Sequence, residues 1–195
     1  MQQEELIKQN IEDDFKQFKR GINTNLLFES LETLLILIKK DKEKVDDFID
    51  HLASIYRFIL SRKEKQLVAF SEELLVVTEL IQLFNYLPYR NVSIKNTCKN
   101  SFLVVPGSLL FIIEQIVRTS IISDTILLEL ILTEKENNLE ISYFKNDKIT
   151  AVFNSEKIKE IARTYSIYSA QNIEVVEGEF MRKISIPKLQ IASES

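Results

Sequence analysis

Glycine and proline are scarce in this sequence, with three of each among 195 residues. Chains built from many short strands need frequent turn residues, so this scarcity favours long helices. Cysteine occurs once, as Cys98, which excludes an intramolecular disulfide and fits a reduced, cytoplasmic setting. Histidine also occurs once, as His51, so catalytic cysteine–histidine pairs and the usual zinc sites lack parts, and we expect no metal site.

Long apolar runs and clustered positive charge are also missing. The chain has 25 Lys and Arg against 29 Asp and Glu, a formal net charge of −4, and no basic stripe, which argues against a nucleic-acid partner. The longest near-apolar runs, at 34–38 and 109–113, are far shorter than the ~20 residues of a membrane-spanning helix. We therefore expect a soluble protein that does not itself insert into a membrane.

What the sequence does contain is helical periodicity in its first 60 residues. Apolar residues recur at threes and fours over residues 3–39, with an interruption near Gly21, and again over residues 45–59. The charged stretch Lys39–Lys44 between them predicts a turn, and therefore an antiparallel helical hairpin. A lone hairpin leaves apolar surface uncovered, so we predict a homodimer in which two hairpins form a four-helix bundle.

The second half changes character. Ser71 is a candidate helix cap, followed by Glu72 and Glu73 as complements of the helix dipole, and further helices are predicted to begin near Pro106 and Ser155. Strands are predicted at residues 92–98, 125–133, 138–145, 173–176 and 180–186. The expected fold is α+β: a hairpin domain over residues 1–66, helices on one face of a mixed sheet over residues 67–190, and a tail over residues 191–195.

Four segments, taken in order, resemble LytS/YehU-type sensor histidine kinases. Ile22–Leu31, INTNLLFESL, resembles the phosphoacceptor signature I-N-P-H-F-L-F-N-S-L, and Phe48–Leu60 resembles the second helix, which ends L-S-x-x-Y-R-Y-x-L. Phe70–Leu74 resembles an L-x-E-E-L element, and Val105–Ser120 resembles the nucleotide-site helix P-P-x-x-L-Q-x-L-V-E-N-A-I-K-H. The resemblance implies a dimerising hairpin followed by a GHKL (Bergerat-like) α/β sandwich, which binds ATP and Mg²⁺ in active members.

The residues that carry phosphotransfer in the resembled family are altered here. The position of the acceptor histidine holds Asn25, whose amide nitrogen is delocalised and barely nucleophilic. His51 lies on the second helix, on the side of Asp47, and we interpret it as a surface residue and an unlikely substitute for the acceptor.

The nucleotide site is altered as well. The positions equivalent to the ATP and magnesium site are Glu114, Gln115 and Arg118, and Gln115 stands where the family has asparagine. Its extra methylene would misplace the amide oxygen by about 1 Å for an ion with strict octahedral demands. The glycine-rich lid of the family aligns with Ala151–Ile158, and no glycine lies between Gly107 and Gly178. Glycine lets backbone amides approach phosphate, so we expect neither ATP nor Mg²⁺ to bind.

The sequence therefore predicts a degenerate sensor histidine kinase: a two-component signalling pseudokinase. Its expected partners are a second copy and either a LytTR-type response regulator or an active histidine kinase. Two alternatives stay open. An active kinase with atypical residues would have to bind ATP, and a histidine phosphotransfer protein would still need an acceptor histidine.

Overall fold

The computed structural model describes residues 26–61, 65–87, 90–99, 101–151, 153 and 155–190, without the side chains of residues 155–157. Helix α1 covers residues 26–40, a 3-10 turn follows at Lys42–Lys44, and helix α2 is Val45–Ser61. The two predicted helices are thus confirmed from residue 26 onward. The predictions for residues 1–25, including Asn25 and the interruption near Gly21, lie outside the described residues.

Helix α1 has two unlike faces. Its inner face is small and partly polar, and consists of the buried residues Leu26, Ser30, Thr33 and Leu37. The hydroxyl groups of Ser30 and Thr33 donate to the carbonyl oxygens of Leu26 and Glu29, one turn earlier, at 2.6 and 2.7 Å. The opposite face is apolar yet exposed, and consists of Phe28, Leu31, Leu35 and Ile38. Helix α2 follows the usual pattern, because Phe48 and Ile55 are buried while Asp46 and Asp50 are exposed.

The rest of the chain forms a mixed sheet with helices. The helices are α3, Phe70–Asn85, α4, Ser108–Thr119, and α5, Ser155–Tyr165. The five strands of the sheet are β2, Val92–Asn96, β4, Leu128–Glu134, β5, Asn138–Phe144, β6, Glu174–Glu177, and β7, Met181–Pro187. Their order is β2-β4-β5-β7-β6, with β2 parallel to β4 and the other pairs antiparallel. The predicted α+β fold class, with helices preceding a mixed sheet, is confirmed.

The sequence analysis did not predict two short strands. Strand β1, Val68–Ala69, pairs antiparallel with β3, Leu103–Val104, and Leu103 also exchanges backbone hydrogen bonds with Leu189 at 2.9 Å. These pairings join the entry to α3, the approach to α4 and the end of the chain's last strand. They place α3 and α4 side by side.

The buried hydrophobic residues form one cluster, which contains most of α4, alternate residues of the central strands, and residues of α1, α2, α3 and α5. Helix α4 is buried almost all round, and β4 and β7 alternate between buried and more accessible residues, as strands with one covered face do. The prediction that Ser71 caps α3 is wrong: the helix begins at Phe70, and its N-cap is Ala69, which makes no side-chain capping bond. Within the described ranges, no helix is both long and apolar enough to cross a membrane.

Candidate functional site

The side chain of Arg118, in the last turn of α4, joins the helical hairpin to the sheet domain. Its Nε donates to Glu114 Oε1 of the same helix at 2.8 Å, and its Nη1 donates to Glu29 Oε1 of α1. Its guanidinium also lies 5.8 Å from the centre of the Phe84 ring of α3. The sequence identified Glu114 and Arg118 as site positions but gave no sign of Glu29, because 89 residues separate it from Arg118.

Two further cations lie at the same end of α4. Arg90 Nη1 donates to the carbonyl oxygen of Val117 at 2.9 Å, and Lys148 Nζ donates to that of Arg118 at 2.8 Å. The last carbonyl groups of a helix have no intrahelical partner and carry partial negative charge, so both cations stabilise this helix end. We call Glu29, Arg90, Glu114, Arg118 and Lys148 the Arg118 cluster.

The charges of the Arg118 cluster perturb one another. Burial lowers the pKa of Arg90, and the neighbouring Arg118 lowers it further, while Glu29 opposes both effects. Burial also lowers the pKa of Lys148, with Arg90 adding to the shift. For Arg118 burial acts in the same direction, but the carboxylates of Glu114 and Glu29 outweigh it and the pKa is raised. Arg118 therefore stays charged between two acids.

Tyr56 of α2 lies close enough to the Arg118 cluster for the charge of Glu114 to change its pKa. Burial, and then the negative charge of Glu114, raise the pKa of Tyr56 to about 12. Tyr56 is half-buried. Elements α1, α2, α3 and α4 thus converge on Arg118 and its acids.

The start of α4 is closed by a carboxylate from α3. Glu73 is fully buried, and its side chain accepts backbone N–H bonds from Gly107 at 2.5 Å, Leu109 at 3.2 Å and Leu110 at 3.5 Å. The sequence interpretation assigned Glu73 to the dipole of its own helix, whereas these bonds serve the N-terminus of α4. Gly107 has φ +80°, a conformation that favours glycine, and so presents its N–H to Glu73.

One described residue of the region aligned with the nucleotide lid, Phe153, contacts the sheet. Phe153 is buried, and its ring centre lies 4.4 Å from the guanidinium of Arg182. Arg182 forms a two-bond ion pair with Asp147, at 2.9 and 2.7 Å, and donates to Glu177 at 2.5 Å and to the Tyr143 hydroxyl at 2.9 Å. A glycine-rich lid leaves space for phosphate, whereas here the buried ring of Phe153 packs on the ion cluster of Arg182.

These observations test whether α4 suits magnesium and ATP. The Glu114 carboxylate is engaged by Arg118, and Gln115 is a half-buried residue of the same helix. The N-terminal amides of α4 are bonded to Glu73, so the helix end that would attract phosphate already holds an anion. The described residues are therefore a poor fit to a magnesium–ATP complex. Among them, no group of three or more His, Cys, Asp and Glu side chains is arranged to hold a metal ion.

His51 is half-buried and is bound to a different acid from the one that the sequence suggested. Its Nδ1 lies 2.7 Å from Glu79 Oε2 of α3, and its ring centre lies 5.9 Å from that of Tyr86. The sequence interpretation placed it on the surface beside Asp47. The observed contact makes His51 a second polar link between the hairpin and the sheet domain. Asn25 lies outside the described residues, so the structure places neither its side chain nor its partners.

Comparisons with known proteins agree with part of this picture. Residues 14–87, which include α1, α2 and α3, match the family model described as histidine kinase. No protein of curated function matches the chain.

Solved structures give weaker similarity. The Acinetobacter baumannii histidine kinase AdeS has a TM-score of 0.44 at 11% identity, over 93% of this chain and 94% of that one. A Burkholderia phymatum STM815 histidine kinase has a TM-score of 0.45 at 12% identity, over 86% and 99%. A structure titled bacterial phosphotransferase has a TM-score of 0.43 at 9% identity, over 90% and 95%.

Proposed function

We propose that this chain is a non-catalytic relative of the LytS/YehU-type sensor histidine kinases, which acts in two-component signalling as a homodimer. In this proposal the hairpin pairs with that of a second copy, and the dimer binds a LytTR-type response regulator or an active histidine kinase in the cytoplasm. The match of residues 14–87 to the histidine kinase family model supports the class of protein.

The exposed stripe of α1 is the observation that carries the proposal. Phe28 is 62% exposed and Leu35 is 61% exposed, and Leu31 and Ile38 lie between and beyond them on the same face. Their spacing of three, four and three residues is that of a seam between packed helices. Because the smaller, more polar face of α1 already packs inward, the outer face needs a partner to leave water. A second hairpin offers an identical stripe, and pairing the two forms a four-helix bundle.

The proposal that the chain is inactive has three supports. The acceptor-equivalent position is Asn25, which lacks a nucleophilic ring nitrogen. The lid-equivalent region contributes a buried Phe153 instead of a glycine-lined cradle. The backbone amides at the start of α4 are bonded to Glu73. We therefore propose that the chain takes neither ATP nor Mg²⁺.

The partner-binding surface is proposed on the hairpin, near residue 25 and along the outer side of α2. Arg57 of α2 is exposed, with its guanidinium bonded only weakly at 3.3 Å to Ala53 O and 3.4 Å to Ser54 Oγ. It is therefore available to an acidic group on a response regulator. Tyr56 and Phe58 beside it are half-buried, so they support the surface from within.

Sedimentation equilibrium tests the dimer. We expect the native chain to be dimeric, and Leu31→Glu or Leu35→Glu to weaken the dimer at least tenfold, because a buried leucine contributes about 1.5–3 kcal/mol. The matched control is Leu75→Glu, which changes a leucine of α3 that is 70% exposed and lies off the stripe. A native chain that sediments as a monomer would refute the proposal, as would an equal effect of Leu75→Glu.

A further inference from the structure

The ion pair between Glu29 and Arg118 has fewer hydrogen bonds than the ion pair between Asp147 and Arg182. Arg118 reaches Oε1 of Glu29, while Glu29 Oε2 and Arg118 Nη2 are buried without hydrogen-bond partners within the part of the chain that the structure describes. Burying such atoms unsatisfied costs free energy that offsets much of the attraction between the charges. The Arg182–Asp147 pair shows the alternative, since both carboxylate oxygens of Asp147 are bonded.

The middle of the inner face of α1 is occupied by short side chains. Ser30 and Thr33 lie there between the buried Leu26 and Leu37, and together with Leu83 and Phe84 of α3 they line a small pocket. Helix α2 instead inserts Phe48, which contacts Tyr86 edge-on at 5.6 Å, and it is bonded through His51 to Glu79. Helix α2 is therefore attached to α3 independently of Glu29, whereas Glu29 of α1 is attached to α4 through Arg118.

The three cations of the Arg118 cluster would keep other hydrogen-bond partners if Glu29 moved away. Arg118 keeps its bond of 2.8 Å to Glu114, so its charge remains paired. Arg90 and Lys148 are bonded to carbonyl oxygens of α4 and do not depend on Glu29 for a partner. Without Glu29, the Arg118 cluster would contain three cations, Arg90, Arg118 and Lys148, and a single acid, Glu114. The resulting positive surface at the end of α4 would be exposed to solvent or to a binding partner.

From these observations we propose that Glu29 and Arg118 form a latch that holds α1 against α4, and that opening it lets α1 move away from the sheet domain while α2 stays attached. Residue 25, at the position equivalent to the phosphoacceptor, stands four residues before Glu29 in the sequence. A closed latch holds the first described turn of α1 against α4, and an open latch frees the surface of that turn. A partner that binds only the open form shifts the equilibrium by its difference in affinity. That last consequence rests on the proposed function; the latch itself does not.

Pulsed electron paramagnetic resonance measures the latch directly. Spin labels on Glu32→Cys of α1 and Glu129→Cys of β4, both exposed positions, report the distance between hairpin and sheet in a Cys98→Ser background. Diluting labelled protein into an excess of unlabelled protein makes the distance intramolecular, so the result does not depend on whether the chain dimerises. We expect one narrow distance distribution with Glu29 present, and an added population at longer distances in Glu29→Gln.

The control variant is Glu134→Gln, which removes a pair with Lys188 of 3.0 Å inside the sheet domain and leaves the hairpin untouched. Glu29→Asp keeps the charge but shortens the side chain, and is expected to give a smaller long-distance population. If Glu29→Gln does not unfold cooperatively, and so is not properly folded, the distance distribution of Glu29→Asp tests the latch instead. A distribution unchanged by both Glu29 variants would overturn the latch, and so would an equal change in Glu134→Gln.

Discussion

The carboxylate of Glu73 in α3 accepts a hydrogen bond of 2.5 Å from the backbone N–H of Gly107, which precedes α4. The same side chain reaches the N–H groups of Leu109 and Leu110, so one buried acid serves three donors. Donors at a helix N-terminus lack intrahelical partners and attract negative charge. The protein thus supplies its own anion where a bound phosphate would otherwise be favoured.

Replacing Glu73 by glutamine should weaken the fold. The amide keeps the shape but loses the charge, and hydrogen bonds to charged groups contribute about 1.5–3 kcal/mol each in net terms. We expect Glu73→Gln to lower the free energy of unfolding by about 2–3 kcal/mol in urea titrations followed by circular dichroism. Glu136→Gln, in the exposed turn between β4 and β5, should change it by less than about 0.5 kcal/mol. Equal stability of the two variants would contradict the capping role.

Replacing Arg182 should lower the stability of the sheet domain more than most other substitutions in the sheet. Arg182→Met leaves Asp147 without its two-bond partner, and breaking a buried ion pair from one side costs about 3–5 kcal/mol. Glu177 is half exposed and keeps Lys145 at 3.6 Å, so it adds little to this cost. For a chain of this size that corresponds to a drop in Tm of roughly 6–20 °C. The neighbouring Lys183→Gln faces solvent and serves as the control in the same thermal scans. A similar small shift in both proteins would mean that the cluster around Arg182 contributes little.

Cys98 should react slowly with thiol reagents while the chain is folded. Burial and the nearby Glu134 raise the pKa of its thiol to about 11, from 9.0. Since only the thiolate attacks, alkylation at pH 8 should be on the order of a hundredfold slower in the folded than in the urea-unfolded chain. The folded pKa lies above the unfolded one, so the stability linked to this group is complete below about pH 9 and is lost as the pH rises towards 11. Equal alkylation rates in both states would contradict the burial of the thiol.

His51 should not accept a phosphoryl group. Its ring is half-buried between α2 and α3, in contact with Glu79 and Tyr86, whereas the resembled family carries its acceptor on the first helix. After incubation with a phosphorylated LytTR-type response regulator, we expect the native chain and His51→Ala to show the same absence of label. Label on the native chain that disappears in His51→Ala would establish the phosphotransfer alternative.

The regular elements could be predicted because their signals are local. The apolar spacing of Val45–Ser61 and the alternation within Leu128–Glu134 appear directly in the order of residues. Strands β1 and β3 could not be found in this way, since two residues are too few to show alternation. They form because Val68 and Val104 become neighbours in space, which depends on how α3 and α4 pack.

The site was only partly predictable for the same reason. Glu114 and Arg118 stand one turn apart in the sequence, so their pairing follows from helical geometry. Glu29 and Glu73 are ordinary acids on amphipathic helices, and nothing local distinguishes them from their neighbours. Their roles arise from contacts with α4 that only the folded chain brings about.

Isothermal titration calorimetry with Mg-ATP tests the proposal that this chain is non-catalytic. An active sensor histidine kinase titrated in parallel serves as the positive control. We expect no saturable heat from the native chain, and no thermal shift when the same mixture is heated. Saturable binding together with transfer of the γ-phosphoryl group to the chain would contradict it.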